Sequence, residues 1–255
     1  MPSARDGMTL VYVPAGEFAM GKKAVDSIAI CDQFHLNCFL DWFTNQEPPH
    51  KIYLDAFWID QTEVTNGMYA QCVQAGDCAV PVSIKSYTHE SYFGNSQFDK
   101  YPVLFVTWDD AKAYCKWAGR RLPTEAEWEK AARGTDERTY PWGNDLPNDN
   151  AVNYRHARLD TIPVGSIPKG ASPYGVLDMA GNVWEWVSDW YDENYYAVSP
   201  KSNPLGPDSG THHVLRGGAF GSGVYNITAT FRFISKPEET YAWFGFRCAA
   251  SAIKS

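Results

Sequence analysis

Three tryptophans alternate with polar side chains in the stretch Asp178-Met179-Ala180-Gly181-Asn182-Val183-Trp184-Glu185-Trp186-Val187-Ser188-Asp189-Trp190. Each indole ring needs a large apolar surrounding and a partner for its N–H group, so the pattern predicts that one side of this stretch is buried. Asn182 and Glu185 lie among the rings and carry the kind of oxygen that a calcium ion collects. The same two side chains could instead satisfy buried backbone groups of an irregular segment. The spacing alone leaves both interpretations open.

The composition is that of an aromatic, acidic chain. Ten tryptophans and fifteen tyrosines are spread over the 255 residues without a low-complexity gap, which predicts one continuous core and a single domain over residues 1–255. The formal charge of −8 and the lack of a basic stripe argue against nucleic acid as a partner. No apolar run reaches the roughly 20 residues that a membrane-spanning helix needs, so we expect no membrane span.

The six cysteines form two close pairs and two distant single positions. Cys31 and Cys38 bracket one short segment, Cys72 and Cys78 bracket another, and Cys115 and Cys248 stand far apart. No C-x-x-C pair is present, which argues against a zinc site. These residues suit two short disulfide loops and one long one in an oxidising compartment, or buried thiols in the cytosol. An extracellular or cell-surface location is favoured if they are paired.

Hydrophobic periodicity predicts few regular elements. Helices are expected from Asn66 to Gln74, after Thr107, and from a capping box at Thr124 to about Arg133. Strands are expected within residues 8–21 (two short ones), 51–60, 102–106, 214–220, 229–233 and 244–249. Residues 22–50, 75–101 and 134–175 look loop-like. The predicted fold class is therefore α+β, with two main helices, short antiparallel strands and low regular content.

Seven motifs occur in order along the chain. They are Tyr12-Val13-Pro14-Ala15-Gly16-Glu17-Phe18, Glu63-Val64-Thr65-Asn66, Arg121-Leu122-Pro123-Thr124-Glu125-Ala126-Glu127-Trp128-Glu129, Tyr140-Pro141-Trp142-Gly143, Gly181-Asn182-Val183-Trp184-Glu185-Trp186, Arg216-Gly217-Gly218 and Gly245-Phe246-Arg247-Cys248. Together they resemble the formylglycine-generating enzyme (sulfatase-modifying factor) family over nearly the whole chain. The resemblance implies a variant of the C-type lectin fold with bound structural calcium.

The resemblance also implies specific ligands. One calcium would be held by Asn182, the Val183 carbonyl and Glu185, and another by Asn153, the Tyr154 carbonyl and Asp160. Cys115 and Cys248 match positions that are disulfide-bonded in some members, so we expect the same bridge here.

Formylglycine-generating enzymes oxidise a substrate cysteine with two cysteines of their own, which bind copper and lie between the Arg-Gly-Gly and Gly-Phe-Arg motifs. In this chain the corresponding interval contains no cysteine. Ser222 falls near the first position and Asn226 or Ile227 near the second, and neither can supply the thiolate that holds Cu(I). We therefore expect no bound copper and favour a protein that is not an enzyme.

The favoured function is a non-catalytic domain that binds a protein or small-molecule ligand at its C-terminal surface, residues 220–243. Aromatic and small polar residues mix there, as they do in adaptable paratopes. The candidate contact residues are Phe220, Ser222, Val224, Tyr225, Asn226, Tyr241 and Trp243, whereas Phe231 and Phe233 are expected in the core. This stretch also resembles the variable proteins of diversity-generating retroelements.

Two alternatives are kept. The chain could be a formylglycine-generating-type oxidoreductase acting on a protein cysteine, or an accessory sensor module of a larger protein. For an enzyme, the loop histidines would be candidates for metal or proton work, and three C-terminal arginines could bind an anion or pair with buried acids. These residues are His156, His212, His213, Arg216, Arg232 and Arg247.

Overall fold

The computed structural model describes residues 1–252. The helices are α1 (Ala24–Gln33), α2 (Asn66–Ala75), α3 (Trp108–Trp117), α4 (Glu125–Arg133) and α5 (Tyr195–Val198). The strands are β1 (Leu10–Val13), β2 (Gly16–Met20), β3 (His50–Leu54), β4 (Phe57–Asp60), β5 (Trp184–Trp190), β6 (His213–Arg216), β7 (Phe233–Ser235), β8 (Phe244–Phe246) and β9 (Ala249–Ser251). Few helices and short strands confirm the predicted α+β class.

Three small sheets organise the chain. Their strand orders are β1-β4-β9, β2-β3 and β7-β6-β5-β8. The tryptophan-rich stretch forms β5, which lies inside the four-stranded sheet and pairs with β6 on one side and β8 on the other. Glu185 on β5 is thereby placed opposite both Arg216 and Gly245. The β5–β8 pair is parallel, which differs from the expectation of antiparallel strands only.

Capping side chains fix the helices at the predicted starts. Thr107 and Asp110 form a capping box at α3, and Thr124 and Glu127 form one at α4. The Thr65 hydroxyl accepts a hydrogen bond from the first turn of α2. These three helices therefore begin where the sequence indicates, because their caps are local.

The core is built on aromatic residues and disulfides. Trp128 of α4 and Trp186 of β5 are fully buried, as the alternation in the central stretch predicts. All six cysteines form disulfides, Cys31–Cys38, Cys72–Cys78 and Cys115–Cys248, which confirms the predicted pairing. The third bridge joins α3 to the residue between β8 and β9 and closes the longest loop. No helix within residues 1–252 is long and apolar enough to cross a membrane.

Several predicted elements were wrong, mostly where tertiary contacts decide. Residues 22–50 contain α1, whose short buried face (Ala24, Ser27, Ile30 and Cys31) is interrupted by polar residues in the sequence. Residues 51–60 form two strands rather than one, because β3 pairs with β2 while β4 pairs with β1 and β9.

Two further strand predictions also need correction. Residues 102–104 and 106 are buried and Phe105 is half-buried, but in the described chain this segment makes only one bridge, from Pro102 to Thr65. A proline lacks the N–H that continues a ladder. In the region predicted as a strand at 229–233, the strand β7 begins only at Phe233. Phe233 is 37 % exposed, so its predicted place in the core was wrong, whereas Phe231 is buried.

Candidate functional site

Glu185 and Arg247 form a buried ion pair at the centre of the molecule. Arg247 Nε donates to Glu185 Oε2 at 2.6 Å and Nη2 donates to Oε1 at 2.7 Å. The indole N–H of Trp128 donates to the same Oε2 at 2.7 Å. The remaining N–H groups of Arg247 donate to the carbonyls of Asp60, Gln61 and Leu177. Both oxygens of the Glu185 carboxylate, for which the resemblance implies a calcium role, therefore accept hydrogen bonds from the Arg247 guanidinium.

The predicted ligands Asn153 and Asn182 meet each other instead. The Asn153 amide donates to Asn182 Oδ1 at 3.3 Å, and the Asn182 amide donates to Glu63 Oε1 at 3.1 Å. A buried cavity of about 10 Å³ is lined by Asn153, Asn182 and Asp178, among others. Among the described residues, Asn153 Oδ1 and Glu63 Oε2 are buried without a hydrogen-bond partner. This buried oxygen cluster of Glu63, Asn153, Asp178 and Asn182 therefore has unused capacity for a cation.

The electrostatics of the buried oxygen cluster favour a positive charge. Burial raises the pKa of Glu63 well above its usual range, and the neighbouring Asp178 and Glu185 raise it further. Burial also raises the pKa of Asp178. Within residues 1–252, no point brings together three or more His, Cys, Asp or Glu side chains suited to a metal ion. A cation here would thus depend largely on amide and carbonyl oxygens, which calcium accepts.

Asp160 has a structural task. Its Oδ2 accepts hydrogen bonds from the hydroxyls of Ser86 and Thr88 and from the Thr88 backbone N–H, at 2.6 to 2.9 Å. Its Oδ1 accepts from the Thr161 N–H at 2.8 Å. Asp160 thereby ties the loop around residue 87 to the loop after Tyr154, and the Asn153 amide reaches its carbonyl at 3.0 Å.

The region around Ser222 offers no thiol. The Ser222 hydroxyl accepts a hydrogen bond from the Ala219 N–H at 2.8 Å, and the Ser222 carbonyl accepts one from the Arg155 N–H at 3.1 Å. All six cysteines lie elsewhere and are disulfide-bonded. The chain therefore cannot provide a free thiolate pair at this position.

The predicted contact residues divide by burial. Tyr241 is exposed, and Ser222, Tyr225, Asn226 and Trp243 are half-buried at the surface. Phe220 and Val224 are buried, so their side chains face the protein interior. Five of the seven predicted residues can therefore reach a partner.

The structure adds aromatic residues that the sequence did not indicate. Neighbouring rings lie 4.9 to 6.3 Å apart, centroid to centroid, along one continuous aromatic ridge. In spatial order the ridge consists of Phe39, Trp42, Tyr225, Phe231, Trp184, Phe233, Phe244, Tyr241 and Trp243. Phe39 and Trp42 come from the segment next to the Cys31–Cys38 disulfide, almost two hundred positions from their ridge neighbour Tyr225. Only the folded chain shows this proximity.

The candidate arginines are structural. Arg216 pairs with Glu125 and Glu129, and Arg232 pairs with Glu125, all of them buried. Arg247 pairs with a buried acid as well. Of the two predicted alternatives, anion binding and pairing with buried acids, the structure shows the second. None of the three presents its guanidinium to a ligand.

The three candidate histidines, His156, His212 and His213, lie in different surroundings. His213 is buried between the rings of Trp108 and Trp190, at centroid distances of 3.9 and 3.7 Å, and burial lowers its pKa to about 4. His212 contacts the Thr211 hydroxyl on the surface. His156 is exposed and lies against Phe220, with ring centroids 5.6 Å apart. They do not form a cluster.

A separate groove of about 980 Å³ lies between β1, the end of β3 and the starts of α3 and α4. Tyr12, Tyr53, Trp108 and Lys112 are among the residues that line it. It contains no residue of the aromatic ridge.

Comparison with known proteins identifies the relationship. The family model described as "Sulfatase-modifying factor enzyme 1-like domain" matches residues 1–252. The chain is 34% identical over 308 aligned residues to the formylglycine-generating enzyme of Streptomyces coelicolor, covering 98% of this chain and 92% of that one.

Solved structures confirm the fold. PvdO from Pseudomonas aeruginosa matches with a TM-score of 0.78 at 24% identity, covering 99% of this chain and 97% of that one. Treponema denticola variable protein 1 matches with a TM-score of 0.72 at 23% identity, covering 96% and 95%. These likenesses concern the fold alone. With the sequence motifs, the family model and the fold in agreement, the chain belongs to the formylglycine-generating enzyme (sulfatase-modifying factor) family, with its C-type lectin-like fold.

Proposed function

We propose that this protein is a non-catalytic binding module that recognises a macromolecular partner through its aromatic ridge. The observation that carries the proposal is that aromatic rings are present, and thiols absent, at one place in the fold. Around Ser222, where the family resemblance implies a pair of thiols, this chain has none, and the aromatic ridge passes through the same stretch at Tyr225.

The exposed part of the ridge suits binding. Phe39, Trp42, Phe233 and Tyr241 are 63, 40, 37 and 39 % exposed, so four large rings of the ridge reach solvent. The ring contacts that join them pass through the buried residues Phe231, Trp184 and Phe244. Exposed apolar surface of this kind marks interaction sites, and aromatic anchors supply most of the binding energy in such sites. Each ring packs against a ridge neighbour, so little side-chain freedom is lost on binding.

The shape of the site favours a polypeptide partner over a small molecule. Small ligands bind in concave pockets that enclose them, and the groove of about 980 Å³ contains no ridge residue. Several exposed rings outside an enclosing pocket instead match an extended complementary surface. The likeness in fold to a variable protein agrees with this use of the scaffold.

A second candidate function is a formylglycine-generating-type oxidase acting on a protein cysteine. The 34% identity to a formylglycine-generating enzyme over nearly the whole chain favours it. Such chemistry would require a source of thiolate other than the disulfide-bonded cysteines. We rank it second for that reason.

Substitution on the ridge tests the binding function. A peptide display library is selected against the wild-type protein, and the enriched clones are measured against Trp42→Ala, Tyr241→Ala and the control Tyr12→Ala. Tyr12 is also an exposed ring, but it packs on Trp58 away from the ridge. We expect the ridge variants to weaken binding about 30-fold, as loss of a hot-spot residue does, and the control to leave it unchanged. Clones that tolerate both ridge variants but not Tyr12→Ala would show that binding uses another surface.

We further propose that a calcium ion occupies the buried oxygen cluster and pins the surrounding loops. Asn153, Asp178 and Asn182 would hold it, with carbonyls nearby completing the set. The unpartnered Asn153 Oδ1 and the burial and crowding of the Glu63, Asp178 and Glu185 carboxyls, which together raise the pKa of Glu63, support this assignment, whereas the Glu185–Arg247 pair does not. The resemblance also assigns Asp160 and the Tyr154 carbonyl to calcium. In this proposal Asp160 would instead support the ligand Asn153, whose amide donates to the Asp160 carbonyl.

Thermal unfolding tests the calcium proposal. Calcium at about 100 times its dissociation constant should stabilise the fold by roughly 3 kcal/mol, since it binds only the folded state. We therefore expect excess chelator to lower the melting temperature of the wild type by several degrees. Asp178→Asn and Asn153→Ala should abolish the response, and Asp145→Asn, at an exposed position, should retain it. A melting temperature that excess chelator leaves unchanged would contradict the calcium proposal.

A further inference from the structure

The end of the binding face beside Ser222 is cationic, although the whole chain carries a formal charge of −8. Arg155, His156 and Arg158 are all exposed and lie within four consecutive positions. The backbone N–H of Arg155 donates to the Ser222 carbonyl at 3.1 Å, so this loop lies directly against the C-terminal stretch.

The loop is held in a defined position. The His156 N–H donates to the Phe220 carbonyl at 2.7 Å, and the His156 ring contacts the rings of Tyr87 and Phe220. At Gly221 a Cβ atom would lie 2.7 Å from the His156 ring, so a larger residue there would displace the ring. Asp160 anchors the loop from its other end through Ser86 and Thr88. The positive charges are therefore presented from a fixed backbone.

No carboxylate in the described chain neutralises these two arginines. Seven other arginines form ion pairs within residues 1–252, and Arg5 lies over the Trp117 ring. Arg158 donates to the Asp149 backbone carbonyl. Neither Arg155 nor Arg158 forms an ion pair within residues 1–252. Asp160, the nearest acid in sequence, uses both oxygens for the hydrogen bonds described above. Lys85, on the neighbouring loop, pairs with Glu90.

We propose that Arg155 and Arg158 form a specificity subsite for a carboxylate side chain of a polypeptide partner. This proposal rests on the proposed binding function and adds the charge that the partner must carry. Guanidinium groups bind carboxylates through paired N–H donors, and such charge-assisted bonds are stronger than neutral ones. Tyr87, 56 % exposed, provides apolar contact beside the charge. The favoured partner segment thus places Asp or Glu next to an apolar residue.

Matched peptide pools test the subsite. One fluorescent pool carries Asp or Glu beside aromatic and aliphatic residues, and the other carries Asn or Gln at the same positions. We expect the acidic pool to bind the wild type about tenfold more tightly, the magnitude of one charge-assisted contact. In Arg155→Gln/Arg158→Gln the preference should fall to about one. Arg5→Gln/Lys51→Gln, which removes the same charge from other exposed positions, should keep it.

The outcomes separate this proposal from the function on which it rests. Equal binding of both pools to the wild type, with both weakened by Trp42→Ala, would overturn the subsite and leave the aromatic ridge standing. An acidic preference that survives in Arg155→Gln/Arg158→Gln would also overturn the subsite. An acidic preference that depends on the two arginines, together with unchanged affinity of both pools for Trp42→Ala and Tyr241→Ala, would support the subsite and contradict the ridge. Failure of the acidic pool to bind would overturn the subsite, and the display selection would then test the ridge independently.

Discussion

Replacing Arg247 by methionine is expected to lower the free energy of unfolding by about 3–5 kcal/mol, because removing one partner of a buried ion pair leaves the other charge uncompensated. In this protein the abandoned carboxylate would be Glu185, which is fully buried and lies near the acids Glu63 and Asp178. Three backbone carbonyls would lose their donors as well. A loss of this size consumes a large fraction of the stability of an ordinary domain. Urea unfolding followed by tryptophan fluorescence measures it.

Two variants make that measurement specific. Arg138→Met removes an arginine whose partner, Asp136, is largely exposed, and we expect a change below about 1 kcal/mol. The double variant Glu185→Gln/Arg247→Met removes both charges and should recover part of the loss, because neither charge is then left alone. Equal losses in the free energy of unfolding for Arg247→Met and Arg138→Met would show that the buried Glu185–Arg247 pair has no special weight in the stability of the fold.

Local signals in the sequence predicted much of the fold. The caps at Thr107 and Thr124 fix two helices through contacts within four residues, so they are readable without the tertiary structure. Tryptophan spacing likewise predicted the burial of Trp186. In contrast, α1 has only a short buried face, and the break between β3 and β4 depends on which strands pair with each half.

The candidate site was predictable only in part. Tyr225, Tyr241 and Trp243 are close in sequence and were expected at the surface. Phe39 and Trp42 reach the same face because of the way the segment after Cys31–Cys38 packs, which no local pattern reports. The calcium prediction shows the same limit. The resemblance assigns Glu185 to calcium, and the sequence does not indicate that Arg247, 62 positions away, lies beside the same carboxylate.

Membership of an enzyme family does not decide the activity of this chain, because function depends on the groups present at the site. The scaffold is retained from β1 to β9, including the Cys115–Cys248 bridge. Near the position where the resemblance implies the first of the two thiols, Ser222 has a hydroxyl, which contains no sulfur and cannot form the thiolate that binds Cu(I). We propose that the exposed rings and the two arginines without an ion pair around it bind a partner instead.

Incubation with a sulfatase peptide that contains a cysteine, in the presence of added copper, is expected to leave the peptide unchanged. The reaction would need a soft thiolate ligand for Cu(I), and every cysteine of this chain is held in a disulfide. Mass spectrometry of the peptide, with the Streptomyces coelicolor enzyme as the positive control, measures this directly. We expect no more aldehyde in the peptide than in the same reaction without the protein. Aldehyde formed above that level, and lost on removal of copper, would contradict it.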